Sequence, residues 1–152
     1  MSTHKARIEW QRTSDDFSLK SYSRDHTWSF DGARVEASAA PEYLGDPHRV
    51  DPERALVAAL SSCHMLTFLA IASKRGFVVD RYTDDAVGAL EKNEEGKLAI
   101  TRVELRPAIE FAGEAPDAQA LEEMHHQAHE RCFIASSVRT RVEVAPAPAR
   151  TG

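Results

Sequence analysis

The sequence predicts an α+β fold in which antiparallel sheets wrap a long, buried central helix. Three observations carry this prediction. Alternating polar and apolar runs lie on both sides of one long apolar segment. A strong helix-start signal stands directly ahead of that segment. Strands and helices do not alternate strictly, as a doubly wound parallel sheet would require.

The elements follow in order. "ARIEWQ" alternates as a short strand. "DFSLKSYSRDHTWSFDGARVEASAAP" holds two further alternating runs, with Asp31-Gly32 as a hairpin turn signal. "PEYLGDPHRVDP" is rich in Pro, Gly and Asp and reads as a loop. Asp51 then offers an N-cap, Pro52 suits the first helical position, and Glu53 favours the first turn. From Ala55 to Ala72 nearly every residue is small or apolar, and the helix is expected to end at Lys74-Arg75-Gly76 with Gly76 as C-cap. Such a run has the length of a membrane span, but Ser61, Ser62, His64 and Thr67 interrupt it and no second apolar segment follows. In a soluble protein a helix that is apolar all round is buried all round, wrapped by other elements or by another chain.

After this helix "GFVVDRY", "DAVGALEKNEEGKLAITRVELRPAIEF" and "SSVRTRVEVAP" read as strands, with "EKNEEGK" as a hairpin tip. Between the last two lies "DAQALEEMHHQAHERCF", a helix whose Leu121, Met124, Ala128 and Cys132 share one face. The expected organisation is a single domain over residues 1–145 and a flexible tail over 146–152.

Bulk properties narrow the function. The 152 residues carry 19 Lys and Arg against 24 Asp and Glu, a formal net charge of −5 with no basic block. That argues against a nucleic-acid or anionic-membrane surface, both of which need a concentrated positive field. "MSTHKARIEW" lacks the apolar core and small-residue cleavage site of a secretion signal, so the expected compartment is the cytoplasm. There most thiols are kept reduced, and a cysteine pair that oxidises there is usually transient and catalytic.

The two cysteines are therefore the first candidates. Cys63 sits in "AALSSCHML". Free cysteine is often plain core filling, but Ser61, Ser62 and His64 set polar groups where the helix should be driest, and buried polar groups need partners. Glu53 is either a first-turn carboxylate stabilising the helix dipole or a site residue. It lies ten residues before Cys63, ~15 Å along a straight helix. If it serves that thiol, it more plausibly serves the one on a second subunit. Cys132 closes "HHQAHERC", where His125, His129 and Cys132 recur at i, i+4 and i+7 and offer three ligands to zinc or a similar metal, with no fourth at fixed spacing. P-loop, GxGxxG, GxSxG and CxxC patterns are absent.

"DPERALVAALSSCHMLTFLAIA", followed about seventy residues later by "AHERCFIASSV", resembles the OsmC/Ohr family of osmotically induced proteins and organic hydroperoxide reductases. The resemblance spans most of the chain. It implies an intertwined homodimer with sites between subunits, and a thiol peroxidase without a cofactor. Cys63 would attack the peroxide, Cys132 would resolve the resulting sulfenic acid as a disulfide, and an external dithiol, by family likeness a lipoylated protein, would reduce it. Glu53 matches the family's glutamate by spacing. Arg24 in "SYSRDHTW" is the best match to its arginine, with Arg34 as fallback. One departure stands out: many members carry proline after the second cysteine, and here Phe133 follows. Two other readings are a thiol-independent binding protein for a hydrophobic molecule between subunits, and a metal protein built on His125, His129 and Cys132.

Overall fold

Local capping chemistry sets the long helix. Asp51 is buried, and its carboxylate accepts the backbone N–H of Arg54 at 2.8 Å, so α1 runs Pro52–Lys74 in the computed structural model, which describes residues 1–152. At its far end Gly76 has φ +82°, and the Phe77 N–H reaches back to the Ala72 carbonyl at 3.0 Å. Both ends match the sequence expectation.

The chain divides into two compact units, Met1–Ala55 and Leu56–Gly152. The first unit is built on a sheet of β1 (Arg7–Glu9), β2 (His26–Phe30) and β3 (Ala33–Ala37), and Ala37 at the end of β3 also bridges to Val50. Asp31 and Gly32 both take positive φ, which closes the β2–β3 hairpin with Phe30 opposite Ala33. The two alternating runs joined by Asp31-Gly32 are β2 and β3, and residues 17–23 ahead of β2 form no strand. The backbone of that segment is held by local turns and by side chains instead. Further on, the loop folds tightly: a Cβ on Gly45 would lie 1.6 Å from the Ala39 carbonyl oxygen, so only glycine fits.

The second unit contains two sheets, ordered β4-β7-β9 and β5-β6-β8, and the helix α2 (Ala118–Arg131), capped by Asp117 on the Ala120 N–H at 2.8 Å. The strands are β4 (Val78–Asp84), β5 (Val87–Lys92), β6 (Leu98–Leu105), β7 (Pro107–Ala112), β8 (Arg141–Val144) and β9 (Arg150–Thr151). β4–β7 and β5–β6 are antiparallel as expected, but β8 runs parallel to β6 and β9 parallel to β7. The sheets are therefore mixed. The connection through α2 is long enough to return the chain in the same direction, which a hairpin cannot do.

The end of the chain adds a further strand pairing. In "APAPARTG" the prolines at 146 and 148 alternate with residues that keep their N–H. Ala145 donates to Leu105 at 2.8 Å and Ala147 to Pro107 at 2.9 Å, which leads into β9. An edge position tolerates this alternation.

One face of α1 carries Leu60, His64, Phe68, Ile71 and Ala72 into the core. Phe68, Ile71 and Ala72 pack with Ile109 and Phe111 of β7 and with Leu121, Met124 and Ala128 of α2. Leu60 packs with Val103 and Leu105 of β6. The opposite face (Ala59, Ser62, Leu66, Ala70) is exposed within the chain, Leu66 by 60%. α1 is long and apolar enough to cross a membrane, with a window of mean hydropathy 1.9, yet it is the helix that both clusters share.

Candidate active site

Helix α1 and the C-terminal end of α2 bring the two thiols of the second unit together. Cys63 is half-buried, and its carbonyl accepts the Thr67 hydroxyl at 2.8 Å. Cys132, the C-cap of α2, is 1% exposed, and both thiols are free. Burial pushes the Cys132 thiol up, and so does the neighbouring Cys63 thiol. The Ala135 N–H, at the start of a 3-10 turn over Ala135–Ser137, donates to Cys132 Sγ at 3.4 Å and works in the other direction. Residues sixty-nine positions apart in the chain are thus neighbours. Phe133 projects outward, 83% exposed.

The α1–α2 seam continues as an imidazole ladder. His64 and His125 share a hydrogen bond of 3.0 Å between Nε2 and Nδ1, their rings lie 6° from parallel, and Phe68 stacks on His125 at 4.4 Å. Burial, reinforced by His129, lowers His64 to about 4. Burial, reinforced by His64, lowers His125 to about 3. Both rings are neutral at physiological pH. His64 Nδ1, His125 Nε2, His129 Nδ1 and the Tyr82 hydroxyl have no partner although buried. Burial, and then the charge of Asp84, push the Tyr82 hydroxyl above its ordinary range. Asp84 accepts the Ser61 hydroxyl at 2.5 Å and the Arg106 N–H at 2.6 Å. The polar residues that interrupt α1 therefore divide: Ser61 binds Asp84, and His64 binds His125.

His125, His129 and Cys132 do not converge on a metal. His125 turns to His64 and Cys132 to Cys63, and no three His, Cys, Asp or Glu side chains gather closely enough to hold an ion.

In the first unit Arg24 and Glu53 line one cavity of about 290 Å³, together with His26, Ser38 and Tyr43. Arg24 does not pair with a carboxylate. Its guanidinium donates to the carbonyls of Leu19 and Tyr22 and lies over the Tyr22 ring, 3.8 Å from the centroid. It precedes β2 rather than lying in a strand. Arg34 sits on the exposed side of β3, paired with Glu36 at 2.9 Å. His26 and Tyr43 were missed in the sequence. The only available signal for His26 was its place two residues from Arg24.

The architecture defines a protein with an OsmC-like fold. Residues 45–146 match the family of OsmC-like proteins, and the chain belongs to that family. An OsmC-like protein of unknown function from Vibrio cholerae is 51% identical, with a TM-score of 0.92 over 97% of this chain and 100% of that one. An organic hydroperoxide resistance protein from Elizabethkingia anophelis is 15% identical, with a TM-score of 0.69 over 100% of this chain and 98% of that one. The organic hydroperoxide resistance protein OhrB of Bacillus subtilis is also 15% identical, with a TM-score of 0.62 over 99% of this chain and 98% of that one. At such identity the last two share the fold. No protein of curated function matches the sequence.

Proposed function

We propose that this chain is a cysteine-based peroxidase that reduces organic hydroperoxides. The observation that carries the reading is the pairing of Cys63 with Cys132, the only two cysteines, as neighbouring free thiols. The Cys63 thiolate attacks the peroxide: an S–O bond forms, the O–O bond breaks, and the alkoxide takes a proton and leaves as alcohol. Cys132 then attacks the sulfenic sulfur, forming the disulfide and releasing water. An external dithiol, such as a lipoylated protein, exchanges with the disulfide and returns both thiols.

A thiol of ordinary pKa is a weak nucleophile at neutral pH, so the site needs a cation to favour the thiolate. Arg24 is that cation in this reading and Glu53 the carboxylate that orients it, supported by their shared cavity. Helix α1 is unbroken from Pro52 to Lys74, so Glu53 stays ~15 Å from Cys63 of its own chain. Glu53 therefore serves the thiol of a second copy, and the exposed apolar face of α1 around Leu66 is where the homodimer closes. The apolar surroundings of Cys63 favour organic peroxides over hydrogen peroxide, and the cytoplasm is the compartment in which such a thiol pair would cycle.

One equivalent of cumene hydroperoxide should consume both thiols and lower the intact mass by two hydrogens, faster than hydrogen peroxide does. Cys63→Ser should abolish peroxide consumption, and Cys132→Ser should stop after one turnover at a trappable sulfenic acid. Turnover by Cys63→Ser would end this proposal.

A further inference from the structure

The segment that carries Arg24 is irregular, and its carbonyls are taken one after another by side chains. Tyr22 O accepts from the Arg24 guanidinium itself. Ser23 O accepts the Trp10 indole N–H at 2.8 Å. Arg24 O meets His26 Nδ1 at 2.8 Å, while His26 Nε2 meets the Trp28 indole N–H at 2.9 Å. The last two contacts fix the proton on His26 by elimination. An indole N–H can only donate, so Nε2 must be the acceptor. A carbonyl can only accept, so Nδ1 must carry the hydrogen. His26 is thus held as one defined tautomer between a tryptophan and the backbone of Arg24. The protein's two tryptophans both end on this short segment, one directly and one through His26.

We propose that His26 is a positioning residue for the reaction above, relaying the anchor of Trp28 to the backbone of Arg24 and so aiming the guanidinium into the cavity shared with Glu53. The argument rests on the peroxidase reading for what Arg24 does, and on the hydrogen bonds alone for what His26 does to Arg24. The backbone here has no strand ladder to define it, because β2 begins only at His26. Without the His26 bond, the Arg24 carbonyl loses the one contact that ties it to the sheet side of the segment. A guanidinium misplaced by about 1 Å costs on the order of a hundredfold in rate when a reaction depends on its position. The rest of the Arg24 fork stays available for Glu53 or for a thiolate, since Leu19 O and Tyr22 O engage only one N–H on each terminal nitrogen.

The test combines a double-mutant cycle with a spectrum. The rate of Cys63 oxidation by cumene hydroperoxide is measured in the full chain for wild type, His26→Ala, His26→Asn, Arg24→Ala and the His26→Ala/Arg24→Ala pair. The indole N–H resonances of Trp10 and Trp28 are followed in each. His26→Ala should slow oxidation about tenfold to a hundredfold in the wild-type background and less than about twofold when Arg24 is already alanine. The Trp28 resonance should move in His26→Ala and the Trp10 resonance stay. His26→Asn, whose amide can replace the Nδ1–H donor but not the Nε2 acceptor of the Trp28 anchor, should restore only part of the rate. A His26→Ala protein that loses rate equally in both backgrounds has a merely structural histidine, and the inference falls. Full rate in His26→Ala also overturns it while leaving the peroxidase reading intact. If wild type itself leaves the peroxide unreduced, the reaction proposed above has failed, and the part of His26 in it falls too.

Discussion

Acidification to pH 5 should weaken this fold through two particular side chains. His64 and His125 are 1% and 3% exposed and hydrogen-bonded to each other, with values lowered to about 4 and about 3. In the unfolded chain each would titrate near its ordinary value of about 6.5. Between these limits the unfolded chain binds protons that the folded one refuses, so stability falls as pH drops below about 6.5 and continues to fall until the folded-state values are passed. Above about 7 the pair contributes no slope. At pH 5 the imbalance is about 1.5 logarithmic units for each ring, or about 2 kcal/mol apiece. Together that is up to about 4 kcal/mol, and in urea, with a slope of about 2 kcal/mol per molar, a midpoint lower by on the order of 2 M. The assay is urea unfolding followed by circular dichroism at pH 7 and pH 5, at one protein concentration and with thiols kept reduced. The control is the double variant His64→Phe/His125→Leu, which removes both titrating rings and the orphaned nitrogens with them. Its drop between the two pH values should be smaller than the wild type's by that same amount. Equal drops in the two proteins would refute the reasoning.

Two further outcomes follow from local geometry. Gly88→Ala would place a methyl 2.6 Å from Val57 Cγ2, where β5 passes close to α1; destabilisation of about 1–3 kcal/mol is expected by thermal or urea unfolding. Asp51→Ala removes the cap on the Arg54 N–H and the 2.8 Å ion pair with the Arg54 side chain, and should cost about 1–2 kcal/mol in the same measurement, with Asp51→Asn recovering part of it.

What could be read in the sequence is what depends on near neighbours. The two ends of α1, the Asp31-Gly32 hairpin and the buried face of α2 are all set by residues within a few positions of one another, and all stand as expected. The parallel pairings of β8 and β9 depend on partners about forty residues away, and alternation carries no information about direction. The alternating run that leads into Asp31-Gly32 becomes a strand only from His26, and ahead of it the carbonyls of Tyr22, Ser23 and Arg24 are claimed by Arg24, Trp10 and His26 in place of a ladder. The site divides in the same way. Cys63 and Glu53 were visible as odd residues in or beside an apolar helix. The run His125, His129, Cys132 was visible as a helical face, though its partners were not. Helical spacing says which side chains share a face and nothing of the helix opposite, so a metal set and an imidazole ladder look alike until His64 is seen across the seam.

The nearness of Cys63 and Cys132 has a consequence for the chain as a polymer. A disulfide between them would tie off a loop of about seventy residues, nearly half the molecule, and such a tie lowers the entropy of the unfolded chain by an amount worth about 4 kcal/mol. The oxidised molecule would then be much harder to unfold than the reduced one, although the two share a fold. The peroxidase cycle proposed above would then alternate a hardened protein with a softer one, and a shortage of reductant would accumulate the form most resistant to heat and proteolysis.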